Sequence, residues 1–198
     1  MQFLLAVLLA AKIIVPVHEH TEEDVQIIAE AAWLENGSTG KTESENRQCL
    51  IATMAVIINR MENDDKWLHK KGEKTAYDVI MAPGQYASPT RNGIGHTFVP
   101  DWVVELAREI LNYGCNVPDY VLFQSTQSKL GTVWKIIDGE YFSTESGHYM
   151  EGKDLVIETN KQAYLQQCYE EFKKQMQKLS KQSAKYIFKY IKKIRIKG

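Results

Sequence analysis

Apolar residues recur along the chain at helical spacing, give way once to short β-rich runs, and then return to helical spacing. Val25, Ile28, Ala29 and Ala32 mark one face of a first helix. Thr21-Glu22-Glu23-Asp24 supplies its start, with a hydroxyl to cap the backbone and acids suited to the positive end of the helix dipole. Asn36-Gly37 supplies its stop, so Glu35 falls on the last turn. Ser38 to Glu45 is polar and turn-like. A second helix is predicted from about Asn46 to Met61, and Leu50, Ile51, Met54, Val56, Ile57 and Ile58 leave it almost no polar face. Such a helix belongs at the centre of a core. Thr75 to Met81 reads as a short helix stopped by Pro83-Gly84, and Gln85 to Gly95 as loop. Pro100-Asp101 opens a third main helix, with Val104, Ala107, Ile110 and Leu111 facing inward and Gly114 at its end.

The period then shortens. Tyr120 to Gln124, Thr132 to Asp138 and Leu155 to Glu158 are β-rich runs separated by turn residues, which predicts a small antiparallel sheet. From about Lys161 the helical period resumes, with Phe172, Met176, Leu179, Ser183, Ile187, Tyr190 and Ile194 on one stripe and lysines elsewhere. The predicted fold class is α+β and helix-dominated. It divides into an apolar segment over residues 1–20, a main domain over 21–160 and a basic amphipathic helical tail over 161–198.

Charge adds one feature that the pattern does not show. The formal net charge is -1, but residues 172–198 hold ten Lys or Arg and no acid, while the rest hold 14 Lys or Arg against 25 Asp or Glu. A basic tail on an acidic body points to an anionic partner, such as a wall polymer or a membrane surface. The three cysteines, Cys49, Cys115 and Cys168, are odd in number and show no C-x-x-C spacing, which argues against a disulfide scaffold or a zinc site. The first 17 residues resemble the apolar core of a signal peptide, although Lys12 interrupts them and no A-x-A cleavage site follows. Their uninterrupted part is too short to span a bilayer.

Several catalytic signatures are missing: H-E-x-x-H, the P-loop, G-x-G-x-x-G and G-x-S-x-G. His18-Glu19-His20 has the residue types for a metal but lies in a short polar connection, so no metal or other cofactor is expected. No cysteine sits in a polar, loop-like setting, which disfavours a thiol nucleophile. What remains is Glu35, at a helix end behind the apolar Trp33-Leu34. Desolvation at such a rim raises a carboxyl pKa, the negative end of the helix dipole pushes the same way, and a protonated carboxyl can hand its proton to a glycosidic oxygen. A Glu beside a helix cap is more commonly just a solvated surface residue. Gln85 and Tyr86, after Pro83-Gly84, and Phe123, Gln124 and Ser125, at a strand end, are candidate substrate-binding residues: amides can bond sugar hydroxyls and rings can stack on sugars, with core packing the alternative for each aromatic. Asn59-Arg60 reads as structural, a cap or a partner for an acid near the site.

The segments AEAAWLENG, LIATMAVIINRM, YDVIMAPGQYAS, WVVELAREIL, NVPDYVLFQS and YF, in that order over about residues 24 to 142, resemble the SleB-type cell-wall hydrolases, the spore-cortex-lytic family. The resemblance implies a lysozyme-like fold and cleavage of peptidoglycan between N-acetylmuramic acid and N-acetylglucosamine, with Glu35 matching the family's glutamate. Glu30 also sits in an A-E-A. Glu35 is preferred for its distance to Asn59-Arg60 and its place at the helix end, whereas Glu30 falls mid-helix. Asn36 stands where the family usually has Ala.

Two routes follow. In the lytic-transglycosylase route Glu35 protonates the glycosidic oxygen and then takes a proton from the muramic acid 6-hydroxyl, which closes a 1,6-anhydro ring. In the hydrolytic route a second carboxylate, Glu43 or Glu45, assists water. The first is favoured because the sequence shows no second carboxylate at a fixed position. The remaining alternative is a non-catalytic wall-binding protein. The expected partner is peptidoglycan, without nucleic acid. The expected location is exported or envelope-associated, or cytoplasmic until release if the chain is phage-encoded.

Overall fold

The structure, a computed structural model, describes residues 16–37, 42–63, 75–82, 93–126, 131–145 and 156–195, together with Tyr86, Pro89 and Arg91. Gln85, the apolar stretch before residue 16 and the Ser38–Lys41 turn lie outside these residues. The chain separates into two compact units, one of them Val15–Lys161 and the other containing the C-terminal helix from Gln162 onward.

The first unit is mixed α+β. Helix α1 (Glu22–Asn36) begins at Thr21, whose hydroxyl accepts from the Asp24 backbone N–H while the Asp24 carboxylate accepts from the Thr21 N–H. This reciprocal capping satisfies two donors that a helix start otherwise leaves open. Helix α2 (Glu43–Glu62) begins three residues before the expected Asn46, because Thr42 and Glu45 form the same capping box. Helix α3 (Ala76–Met81) starts at Thr75 with Asp78 in the reciprocal role. Helix α4 is Asp101–Tyr113. Its inward residues are Val103, Leu106, Ala107, Ile110 and Leu111, with Val104 only half-buried.

Every residue of α2 from Cys49 to Arg60 is buried. Helix α1 packs on α2, α3 and α4, and α2 also meets α3, α4 and the sheet. The core therefore closes around α2, as its unbroken apolar composition requires. Val17 and His18 donate backbone N–H groups to Asn112 and Leu111, which satisfies carbonyls at the open end of α4.

The sheet has three antiparallel strands, β1 (Val121–Ser125), β2 (Thr132–Ile137) and β3 (Glu140–Thr144), in the order β1-β3-β2. The third strand corrects the expectation of one at Leu155–Glu158. Residues 156–158 instead lie along Asn116, whose side chain donates to the Val156 carbonyl and accepts from the Glu158 N–H. The strand that forms is set by Asp138-Gly139, both with positive φ (54° and 86°), a two-residue turn that matches the twist of a hairpin.

In the second unit, helix α5 (Lys161–Arg195) carries half-buried Tyr164, Cys168, Phe172 and Met176 at four-residue intervals. Gln166–Glu170 and Gln167–Glu171 form hydrogen bonds along its surface. No helix of the described residues is long and apolar enough to cross a membrane.

Candidate active site

Glu35 is half-buried on the last turn of α1. Two features hold that turn. The Asn36 amide donates to Thr53 Oγ1 at 2.6 Å, and the Thr53 hydroxyl donates to the Cys49 carbonyl at 2.8 Å, which ties the helix end to the middle of α2. Gly37 follows in extended backbone and donates its N–H to the Trp33 carbonyl. A Cβ at Gly37 would collide with the Trp33 ring, so the turn demands glycine for space rather than for a left-handed φ. Trp33 is in turn held edge-on by Trp102, with ring centroids 6.2 Å apart.

The C-terminal end of α2 places the opposite wall. Asn59 donates to the carbonyls of Pro118 and Val121 at 2.9 and 3.0 Å, and Arg60 Nε donates to the Leu122 carbonyl at 2.6 Å. Asn59-Arg60 is structural, as expected, but through these carbonyls rather than as a cap or an acid's partner: the pair fastens β1 to the core helix. The Arg60 guanidinium also lies over two rings, 5.5 Å from the centre of Tyr86 and 5.9 Å from that of Phe123. Tyr86 is 3% exposed, so its ring is packed under Arg60 and is not a surface on which a sugar could stack. Burial pushes its phenol up from the ordinary range, the Glu35 charge adds to this and Arg60 opposes it.

The structure thus brings Glu35, Tyr86, Phe123 and Gln124 into one neighbourhood. Ser125 is half-buried at the end of β1, paired with Tyr141 across the sheet. The neighbourhood also contains a carboxylate that sequence reasoning missed. Glu140, the first residue of β3, is half-buried, on the strand that pairs with β1. Burial raises the Glu140 pKa above the ordinary carboxylate range, and the charge of Glu35 raises it further. The signal available in the sequence was Asp138-Gly139, a hairpin turn that fixes whatever follows it. The carboxylates weighed in the sequence are engaged elsewhere: Glu45 caps α2, and Glu43 pairs with Arg47 one turn along.

Glu30 has a different place. It is 5% exposed, and its carboxylate accepts backbone N–H groups from Gly95, His96 and Thr97 at 2.6, 3.1 and 2.7 Å. It anchors the loop before α4 and leaves Glu35 as the helix-end carboxylate. His18 pairs with Glu62, and His20 bonds the His18 carbonyl. No group of three or more metal-binding side chains occurs among the described residues. Cys49 is buried in the core, and burial pushes the Cys115 thiol up to about 11, so it is protonated at neutral pH.

No protein family model, no curated protein and no solved structure matches the chain.

Proposed function

We propose that the chain cleaves the glycan strand of peptidoglycan between N-acetylmuramic acid and N-acetylglucosamine, with Glu35 as the acid–base catalyst. The observation that carries this reading is the setting of Glu35: half-buried at a helix end fixed by Asn36 and Gly37, with its charge acting on the buried Tyr86 phenol. Ionisable groups whose charges act on one another in a partly dry setting are characteristic of sites that move protons. The substrate class comes from the resemblance of residues 24 to 142 to the SleB-type cell-wall hydrolases, which also implies a lysozyme-like fold. Glu35 donates its proton to the glycosidic oxygen, and the C1–O bond breaks as the leaving hydroxyl forms. Acting alone, Glu35 would then take the muramic acid 6-hydroxyl proton and close the anhydro ring. Phe123, Gln124, Ser125 and Gln85 are the residues proposed to bind the sugar, with buried Tyr86 packed under Arg60. The basic tail adds attraction to anionic wall polymers or a membrane surface.

The test is release of soluble muropeptides from purified sacculi. Glu35→Gln is expected to lower the rate by about 10²- to 10⁴-fold, the usual share of a general acid, with an unchanged thermal transition. Equal release by both proteins would remove Glu35 from the chemistry.

A further inference from the structure

Helix α5 carries two rows of unlike chemistry, and the Glu35 site uses neither. Leu165, Tyr169, Phe172 and Met176 follow one another at steps of four, three and four residues. The sequence continues this row through Leu179, Ser183, Ile187, Tyr190 and Ile194. At about 100° per residue, positions so spaced share one side of a helix. The row is open to solvent near its start, where Leu165 is 41% and Tyr169 59% exposed. Lys174, Lys178, Lys181, Lys185, Lys189 and Lys192 repeat at steps of three or four residues and fall on the opposite side. Lys173, Lys174, Lys178 and Lys181 are exposed. Residues 172–198 hold ten Lys or Arg and no acid, so nothing within that stretch neutralises the lysine row.

Three occupants answer these rows differently. A hydrophilic wall polymer matches the charge and leaves the apolar row in water. A second copy of the helix covers the apolar row but brings two sets of cations together, with no acid between them over residues 172–198. An anionic lipid surface matches both rows at once. We infer that α5 lies along an anionic lipid bilayer, with the row from Leu165 to Ile194 entering the boundary between headgroups and acyl chains and the lysines held by lipid phosphates. The tyrosines of the row suit that boundary, since each joins an apolar ring to a hydroxyl that stays wet. Lysine stems extend beside the helix, which lets ammonium groups reach the phosphates from its polar side. The 35 residues of α5 make a rod about 52 Å long. It lies along the surface and does not cross, because crossing would put a lysine in hydrocarbon at every turn. This surface is independent of the reaction at Glu35.

The experiment sediments the full chain with vesicles of phosphatidylcholine, alone or mixed with phosphatidylglycerol, and separately with purified sacculi. The mixed vesicles should carry the chain down and phosphatidylcholine alone should not, with binding lost as salt rises. Replacing Lys174, Lys178, Lys181 and Lys185 together by Gln should weaken binding to mixed vesicles by about 10²-fold or more. Tyr169→Gln, Ile187→Gln and Tyr190→Gln, made together with every lysine kept, should weaken it by about tenfold or more. Unchanged binding by this second variant overturns the inference and leaves a purely electrostatic partner such as a wall polymer. Equal sedimentation of the wild type with both kinds of vesicle overturns it as well. So does a wild type that stays in solution with mixed vesicles, whether it binds sacculi instead or pairs with itself in sedimentation velocity. The wild-type results decide even if the variants fail to fold.

Discussion

Glu30 and Glu35 stand five residues apart on one helix, and their surroundings give them opposite characters. Glu30 is buried with three backbone N–H groups pointing at it. Those donors fill its carboxylate oxygens and tie it to the loop before α4. Glu35 is half-buried, and its charge bears on another carboxyl and on a buried phenol. Such a group is poorly matched for stability and well placed for chemistry. On the proposed reading the neighbours, rather than burial, separate the structural acid from the catalytic one: backbone donors surround Glu30, while the charge of Glu35 acts on other ionisable groups.

The largest effect that could break this contrast is on folding. Glu30→Ala leaves the part-buried N–H bonds of Gly95, His96 and Thr97 without their acceptor, and each such loss costs about 1–3 kcal/mol. Urea unfolding should show a loss of about 3–5 kcal/mol, with the rate per folded molecule kept. A stable Glu30→Ala protein that has lost its activity would reverse the roles of the two glutamates.

A smaller effect is expected at Asn59. Its alanine variant removes two hydrogen bonds to the carbonyls of Pro118 and Val121, at a cost of about 1–3 kcal/mol. Because Asn59 fastens β1, muropeptide release should fall as well, by about tenfold for a wall shifted by a fraction of an ångström. Loss of stability without loss of rate would separate β1 from the site.

The smallest effect concerns Glu140. Its folded-state pKa lies above that of the unfolded chain, so the native protein holds more protons between those two values. Stability therefore falls as pH rises through that window and stays lower above it. Glu140→Gln should melt slightly higher at pH 8, by about 1–2 °C, since solvent screens a carboxyl this exposed. The gain should vanish in acid, below the ordinary carboxylate range. A variant less stable at pH 8 would make Glu140 a structural residue like Glu30.

Much of this was legible from local pattern. The apolar run of α2, the Thr21 start of α1 and the Gly37 stop that puts Glu35 on a last turn all follow from residue order. The early start of α2 was in reach too, since Thr42-x-x-Glu45 is a capping box hidden in a polar stretch. Glu140 was not legible in the same way. It is over a hundred residues from Glu35, and only the fastening of β1 by Asn59 and Arg60, followed by the β3 register, brings the two together. The buried place of Tyr86 was equally out of reach, because an aromatic in a Gly- and Pro-rich loop looks exposed until Arg60 is seen above it.

The central claim, that Glu35 stands among partly buried groups on which its charge acts, is tested most directly by titrating the glutamate carboxyl carbons by NMR in protein labelled with ¹³C-glutamate. The wild type should show Glu140 titrating above the ordinary carboxylate range, and Glu35→Gln should bring that midpoint down toward it. A Glu140 midpoint that is ordinary in the wild type, or that does not move when the Glu35 charge is removed, would contradict the account.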